Sequence, residues 1–183
     1  MKRIIPLLLL FAACHRSESS QFTRGMEDYL AVRGDLCLGK PTWPIQVSPA
    51  DVAAGTRDAV QMPVLRRLGV VAMNEVDGVQ RYHLTDLGMK SYRESRGDFC
   101  AARLALARVV GWEANGRDRY DHATVRYSYR VQPAPWMADA EARRVFPAVD
   151  RVIRGAGRAE LSQDFVRVES RWVARELAPA HQP

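Results

Sequence analysis

Apolar residues recur along this chain of 183 residues with the periods that are typical of helices and strands. The first such pattern lies in residues 21–32, where Phe22, Met26, Tyr29 and Leu30 follow one another at helical spacing. We therefore predict an amphipathic helix with one buried face in this region.

Helix-start residues mark the next elements. Ser48, Pro49 and Asp51 supply an N-cap, a proline at the first helical position and an acid in the first turn. One or two short helices are therefore expected, ending by Gly69. The preceding stretch, 36–48, contains two prolines and is expected to be extended.

A β-hairpin is predicted over residues 70–84. Asp77 and Gly78 separate its two apolar segments, and glycine accepts the positive φ that a tight hairpin turn requires. Thr85 then caps a further helix through its hydroxyl group.

The second half of the chain alternates strand and helix patterns. It predicts an α+β protein, in which a helical part over 22–98 precedes a small antiparallel sheet with one packed helix over 99–177. Residues 178–183 are expected to form a disordered tail. Strand patterns occupy 103–112, 123–131, 159–161 and 165–173, and a helical pattern bent at Pro147 occupies 137–153.

Composition describes an ordinary globular chain with 47% apolar and 26% charged residues. The formal charge of +6 falls to +4 without residues 1–13, because that segment holds two of the 27 basic residues and none of the 21 acids. Nonspecific DNA binding requires a dense basic face, so this small surplus argues against a nucleic-acid partner.

The N-terminus has the pattern of an export signal. Lys2 and Arg3 precede ten uncharged residues, Ile4 to Ala13, and ten residues are too few to cross a bilayer core of about 30 Å as a helix. We therefore interpret residues 1–13 as a signal peptide.

The residues around Cys14 resemble the lipobox of bacterial lipoproteins. Ala12 and Ala13 are the small residues before the cysteine, while Phe11 replaces the usual Leu, Val or Ile. The resemblance implies that Cys14 is diacylated and anchors the mature chain to a membrane. His15, in place of the inner-membrane retention Asp of that family, implies an outer-membrane, periplasm-facing location.

An ordinary secretory signal is the alternative for the N-terminus, with cleavage near Ala13 and Cys14 left as a free thiol. In either case the polar segment HRSESSQ is expected to behave as a flexible tether, which with the lipidated cysteine spans residues 14–21.

The two remaining cysteines, Cys37 and Cys100, are an even number in a compartment that oxidises thiols. We predict that they form a disulfide. Two buried free thiols are the alternative, because sequence spacing alone does not establish the geometry of a bridge.

The segment VLRRLGVVAMNEVDGVQRYHLTDLGMKSY resembles the hairpin region of winged helix-turn-helix proteins. In a cytoplasmic protein its basic residues would suit phosphate contacts, but an exported chain is separated from chromosomal DNA, so a scaffold or a protein-binding surface is favoured. These basic residues are Arg66, Arg67, Arg81, Lys90 and Arg93.

Over residues 30–175 the chain resembles a group of small proteobacterial lipoproteins. The motifs LCLGK with WPI, YHLTDLG, FC and a YxYxV strand leading to APW carry this resemblance in that order. It implies a shared architecture and supplies no activity or ligand.

Candidate chemistry is sparse along the chain. The histidines are scattered, at His15, His83, His122 and His181, without the spacing of a metal site, so no metal or cofactor is expected. Asp118, Asp121 and His122 suit either a hydrolytic or cation-binding cluster or, as we favour, a solvated turn.

Four arginines, Arg126, Arg130, Arg167 and Arg171, lie on the polar faces of predicted strands. In the last strand pattern, Arg167 and Arg171 alternate with Val166, Val168 and Trp172. If the strands pair, these arginines form a basic stripe for an anionic partner. The alternative is an ordinary solvated sheet face.

We therefore expect a noncatalytic envelope lipoprotein, an accessory module with a membrane anchor and a protein partner in the envelope. The first alternative is a periplasmic hydrolase or ligand carrier, which needs a cleft that gathers residues such as Asp121, His122 and Tyr127. The second is a winged-helix DNA-binding protein that stays in the cytoplasm.

Overall fold

A computed structural model describes residues 10–114 and 121–179. Residues 1–9 of the predicted signal peptide, residues 115–120 and residues 180–183 of the predicted tail lie outside this range. The described residues confirm the α+β class, with helices and antiparallel sheets.

The chain divides into two compact units that are discontinuous in sequence. The central unit comprises Asp35–Leu104 and Val131–Gly155. The terminal unit comprises the residues up to Gly34, Ala105–Arg130 and the residues from Ala156 onward. Each unit therefore contains residues from both predicted parts of the chain, 22–98 and 99–177.

The central unit contains capped helices and a three-stranded antiparallel sheet, in which β4 (Val79–Leu84) lies between β2 (Ile45–Val47) and β3 (Val71–Val76). The Ser48 hydroxyl accepts a hydrogen bond from the Asp51 amide while the Asp51 carboxylate accepts one from the Ser48 amide, so the predicted helix start is confirmed. The helices are α2 (Pro49–Ala54), α3 (Arg57–Arg67) and α4 (Asp86–Met89).

The predicted hairpin is confirmed between β3 and β4. Val76 pairs with Val79, and the two residues between them, Asp77 and Gly78, have φ of 53° and 76°. Two successive positive φ values are those of a type I′ turn. Thr85 caps α4 as expected, by accepting from the Gly88 amide.

A longer antiparallel sheet contains β1 (Asp35–Cys37), β6 (Asp98–Ala114), β7 (His122–Pro133), β8 (Glu160–Val168) and β9 (Arg171–Ala174) in that order, and β5 (Tyr92–Arg93) also pairs with β6. In the central unit the short strands β1 and β5 pair with the start of β6.

Aromatic packing forms the core of the central unit. Trp136 stacks on Phe99 at 5.7 Å between ring centroids and meets Phe146 edge-on at 5.5 Å.

The predicted helix at 137–153 is interrupted at Pro147 as expected, because proline lacks the amide donor that a helix interior needs. It consists of a 3-10 turn at Pro135–Ala138, α5 (Ala140–Val145) and α6 (Pro147–Gly155).

The terminal unit is built on helix α1 (Leu10–Arg33). Phe22, Met26 and Leu30 are buried as predicted, and the Phe22 ring lies 4.9 Å from the Trp172 ring. The helix starts earlier than the predicted residue 21, so the segment 14–21 is helical where a flexible tether was expected. It contains no proline or glycine to stop a helix that the Phe22 contacts already stabilise.

The last strand pattern is a hairpin and not one strand. A turn at Glu169 and Ser170 separates β8 from β9, and Val168 pairs with Arg171. Glu169 adopts a φ of 56°, which is uncommon for a residue with a side chain. The turn contains no glycine, so the sequence gives no local signal for it. Apolar and polar residues keep alternating through the turn and conceal it.

Among the residues that the structure describes, no helix has the length and apolar character needed to cross a membrane.

Gly25 allows α1 to approach β9 closely. A Cβ atom at this position would lie 2.7 Å from the Trp172 carbonyl oxygen and 2.7 Å from the Phe165 ring. Gly25→Ala is therefore expected to lower the free energy of unfolding by about 1–3 kcal/mol, although alanine is the better helix former. Urea denaturation measures the change. In the control Gly111→Ala, the new Cβ meets only the end of the flexible Arg126 side chain, at 3.4 Å; an equal effect of both variants would contradict the prediction.

Candidate functional site

Cys37 and Cys100 form a disulfide, as predicted, within the central unit. They lie opposite each other in the antiparallel pairing of β1 with β6. The alternative of two free thiols is therefore wrong. The Asp98 carboxylate also accepts hydrogen bonds from the amides of Gly39 and Lys40, at 3.0 and 2.6 Å. The segment after Cys37 is thus held to the start of β6 by covalent and polar contacts.

Removal of the bridge, by Cys37→Ser together with Cys100→Ser, is expected to lower the free energy of unfolding by roughly 4 kcal/mol in the chain-entropy description. The reason is that a closed loop with a sequence separation of 63 no longer restricts the unfolded chain. Urea denaturation under oxidising conditions measures the loss. Cys14→Ser is the matched control and should leave the midpoint unchanged; an unchanged midpoint in the double variant would refute the expectation.

Two of the four predicted surface arginines are held by neighbouring groups. Arg126 lies 3.3 Å from the Glu160 carboxylate across the paired strands β7 and β8. Arg130 donates to the Leu106 carbonyl oxygen at 3.0 Å. Arg171 is exposed and pairs with Val168 at the β8–β9 turn.

Arg167 lies on the opposite sheet face, so a single stripe of four arginines does not form. Its cross-strand partner is Trp172, and its guanidinium carbon is 5.1 Å from the centre of that ring. Because side chains alternate along a strand, Arg167 shares the face of the buried Phe165. When residues 165–173 are treated as one continuous strand, Arg167 and Trp172 fall on different faces. The two-residue turn makes them cross-strand partners instead, and partners share a face.

The structure does not gather the residues of the hydrolase hypothesis. Asp121 and His122 line a surface groove in which the His122 Nδ1 atom lies 3.2 Å from an Arg175 nitrogen. Tyr127 points to the other face of β7, where it is buried. Asp118, which the sequence analysis grouped with Asp121 and His122, lies outside the described residues.

Burial raises the pKa of Tyr127 to about 12, with smaller contributions from Tyr29, Tyr129 and Glu176. The folded protein therefore holds this phenol proton more tightly than the unfolded chain, whose tyrosines titrate near about pH 10. The associated stability is present below about pH 10 and is lost as the pH rises toward 12.

Tyr127→Phe is expected to reduce the loss of stability at alkaline pH, because the buried phenol no longer titrates. Urea midpoints at about pH 9 and about pH 11 measure that loss in the wild type and the variant. Tyr92→Phe, which removes a hydroxyl group bonded to the Pro41 carbonyl oxygen, is the control. The attribution fails if Tyr127→Phe shows the full wild-type loss.

Arg67, at the basic end of helix α3, is paired with acids of the same unit. Arg67 lies 2.8 Å from the Asp139 carboxylate and 3.1 Å from that of Glu141, and the hydrogen bond with Arg67 is the largest cause of a lowered pKa of Asp139. The Gln61 amide on the same helix donates to the Val145 carbonyl oxygen. One face of α3 is therefore packed against α5.

A cavity of about 160 Å³ in the central unit is the site that sequence reasoning missed. Lys90, Arg93 and Arg103 line it together with Trp136 and the bridged Cys100. We call it the basic cavity. The clustering of Lys90 with Arg93 was visible in the sequence, but Arg103 joins them only because β5 pairs with β6.

Among the described residues, no group of three or more His, Cys, Asp or Glu side chains is arranged to hold a metal ion. The chain matches no protein-family model, no curated protein and no solved structure.

Proposed function

We propose that the protein is a noncatalytic lipoprotein of the bacterial envelope, anchored through acylated Cys14 and facing the periplasm. The observation that carries the proposal is the disulfide between Cys37 and Cys100. Stable disulfides belong to oxidising compartments, and this one uses both cysteines other than the one behind the signal-like segment. The pairing of the cysteines and the N-terminal pattern thus support the same cellular location.

The anchor acts through the hydrophobic effect. Each buried methylene contributes about 0.8 kcal/mol, so two or more acyl chains hold a protein stably at a bilayer where one chain does not. Helix α1 continues from Leu10 to the buried Phe22. At about 1.5 Å per residue, a helical path from Cys14 to Phe22 is only about 12 Å long, which keeps the folded part near the membrane surface.

An accessory role is favoured over the two alternatives. A hydrolase built on Asp121, His122 and Tyr127 would need these side chains in one cleft, whereas Tyr127 is buried on the face opposite His122. A DNA-binding role for α3 would need a free basic helix face, whereas Arg67 is paired with Asp139 and Glu141. His15, in the position after the lipidated cysteine, favours the outer membrane by resemblance.

Cys14→Ser is expected to abolish incorporation of labelled palmitate and to move the protein from the membrane fraction to the soluble fraction or to an uncleaved precursor. The reason is that serine has no thiol to acylate. Fractionation of cells that express the chain, with detection of the label, measures both effects.

The matched control is the double variant Cys37→Ser with Cys100→Ser, which retains Cys14 and should remain labelled and in the membrane fraction. Unlabelled wild-type protein cleaved near Ala13 and recovered in the soluble fraction would contradict the proposal and support an ordinary secretory signal.

A further inference from the structure

The basic cavity has a buried polar floor. Ser91, only 4% exposed, accepts a hydrogen bond from the Trp136 indole at 3.0 Å. A hydroxyl group has one donor and two acceptor positions, so Ser91 retains its own proton for a ligand. Trp136 is itself part of the core, which fixes the position of this donor.

The charged residues that line the cavity, within the part of the chain that the structure describes, are all basic: Lys90, Arg93 and Arg103. Arg93 is oriented by a hydrogen bond from its Nη1 atom to the Lys90 carbonyl oxygen at 3.1 Å. Three cations around a small cavity repel one another and favour an anion between them.

One buried carboxylate compensates part of this charge. Asp35 lies 4.0 Å from Arg93 and 3.8 Å from Arg103, distances too long for hydrogen bonds. Asp98, the cross-strand neighbour of Arg93, directs its carboxylate at the amides of Gly39 and Lys40 instead. The lining of the cavity therefore keeps a net positive charge, which favours an anion such as a phosphate or a phosphomonoester.

The volume suits such a ligand. A cavity of about 160 Å³ corresponds to the space of about five water molecules at about 30 Å³ each. The donors come from the segment after α4 (Lys90 and Ser91), from β5 (Arg93) and from β6 (Arg103), and therefore approach from different directions. The oxygens of a tetrahedral phosphate group accept from several directions at once.

We propose that the basic cavity binds a phosphate group, held by Lys90, Arg93 and Arg103 with Ser91 as a buried donor. Two sources share this chemistry, a free phosphate compound and the headgroup of an anionic lipid. Leu87, Pro133 and Pro135 form an apolar part of the wall and would contact the glycerol and first methylenes of a lipid. The cavity does not involve Cys14, so the inference stands independently of the lipid anchor.

The test is calorimetric titration of the purified, oxidised Cys14→Ser chain with inorganic phosphate and, separately, with short-chain phosphatidic acid below its micelle concentration. Saturable binding of at least one probe at constant ionic strength is expected. Arg93→Gln and Lys90→Gln should each weaken binding about tenfold or more, because each removes a charged donor. Arg151→Gln, a change of an exposed arginine on α6 of the same unit, should leave it unchanged.

Thermal unfolding establishes that each variant remains folded. Tighter binding of phosphatidic acid than of phosphate would assign the lipid source, and equal or weaker binding would assign a free phosphate compound. Absence of saturable binding to both probes overturns the inference, as does binding that Arg93→Gln and Lys90→Gln reduce no more than Arg151→Gln does.

Discussion

The covalent bond between Cys37 and Cys100 is the constraint on which the central unit depends. Strand β1 contains three residues, and so short an edge strand contributes few ladder hydrogen bonds of its own. The disulfide fixes this strand to β6 and the Asp98 carboxylate fixes the segment that follows it. With β1 in place, Asp35 faces Arg93 and Arg103, and Cys100 forms part of the wall of the basic cavity.

The same bond links structure to location. A disulfide of this kind persists where thiols are oxidised, and the cysteine outside it lies directly behind a segment with the pattern of an export signal. The bridge is therefore consistent with the envelope location that we propose for the anchored chain. The proposed phosphate site is compatible with this proposed location, because phosphate groups at a membrane surface are available both from solution and from lipid headgroups.

Local features were predictable from the sequence because their causes are local. The Ser48 cap, the Asp77-Gly78 turn and the break at Pro147 each depend on the conformational preferences of one or two residues. The turn at Glu169 was not predictable in this way, since a residue with a side chain adopts a positive φ there and the apolar alternation continues through it. That phase change also explains why Arg167 was assigned to the wrong face. The discontinuous units and the basic cavity arise from pairings between strands that are distant in sequence. The periodicity of apolar residues indicates where strands lie but not which strands pair.

The most direct test of the central claim is the intact mass of the protein from its native membrane fraction, with and without reduction and alkylation. The account predicts a species that lacks residues 1–13, carries acyl mass on Cys14 and takes up alkyl groups on Cys37 and Cys100 only after reduction. A full-length, unacylated species whose three cysteines are alkylated without reduction would contradict it.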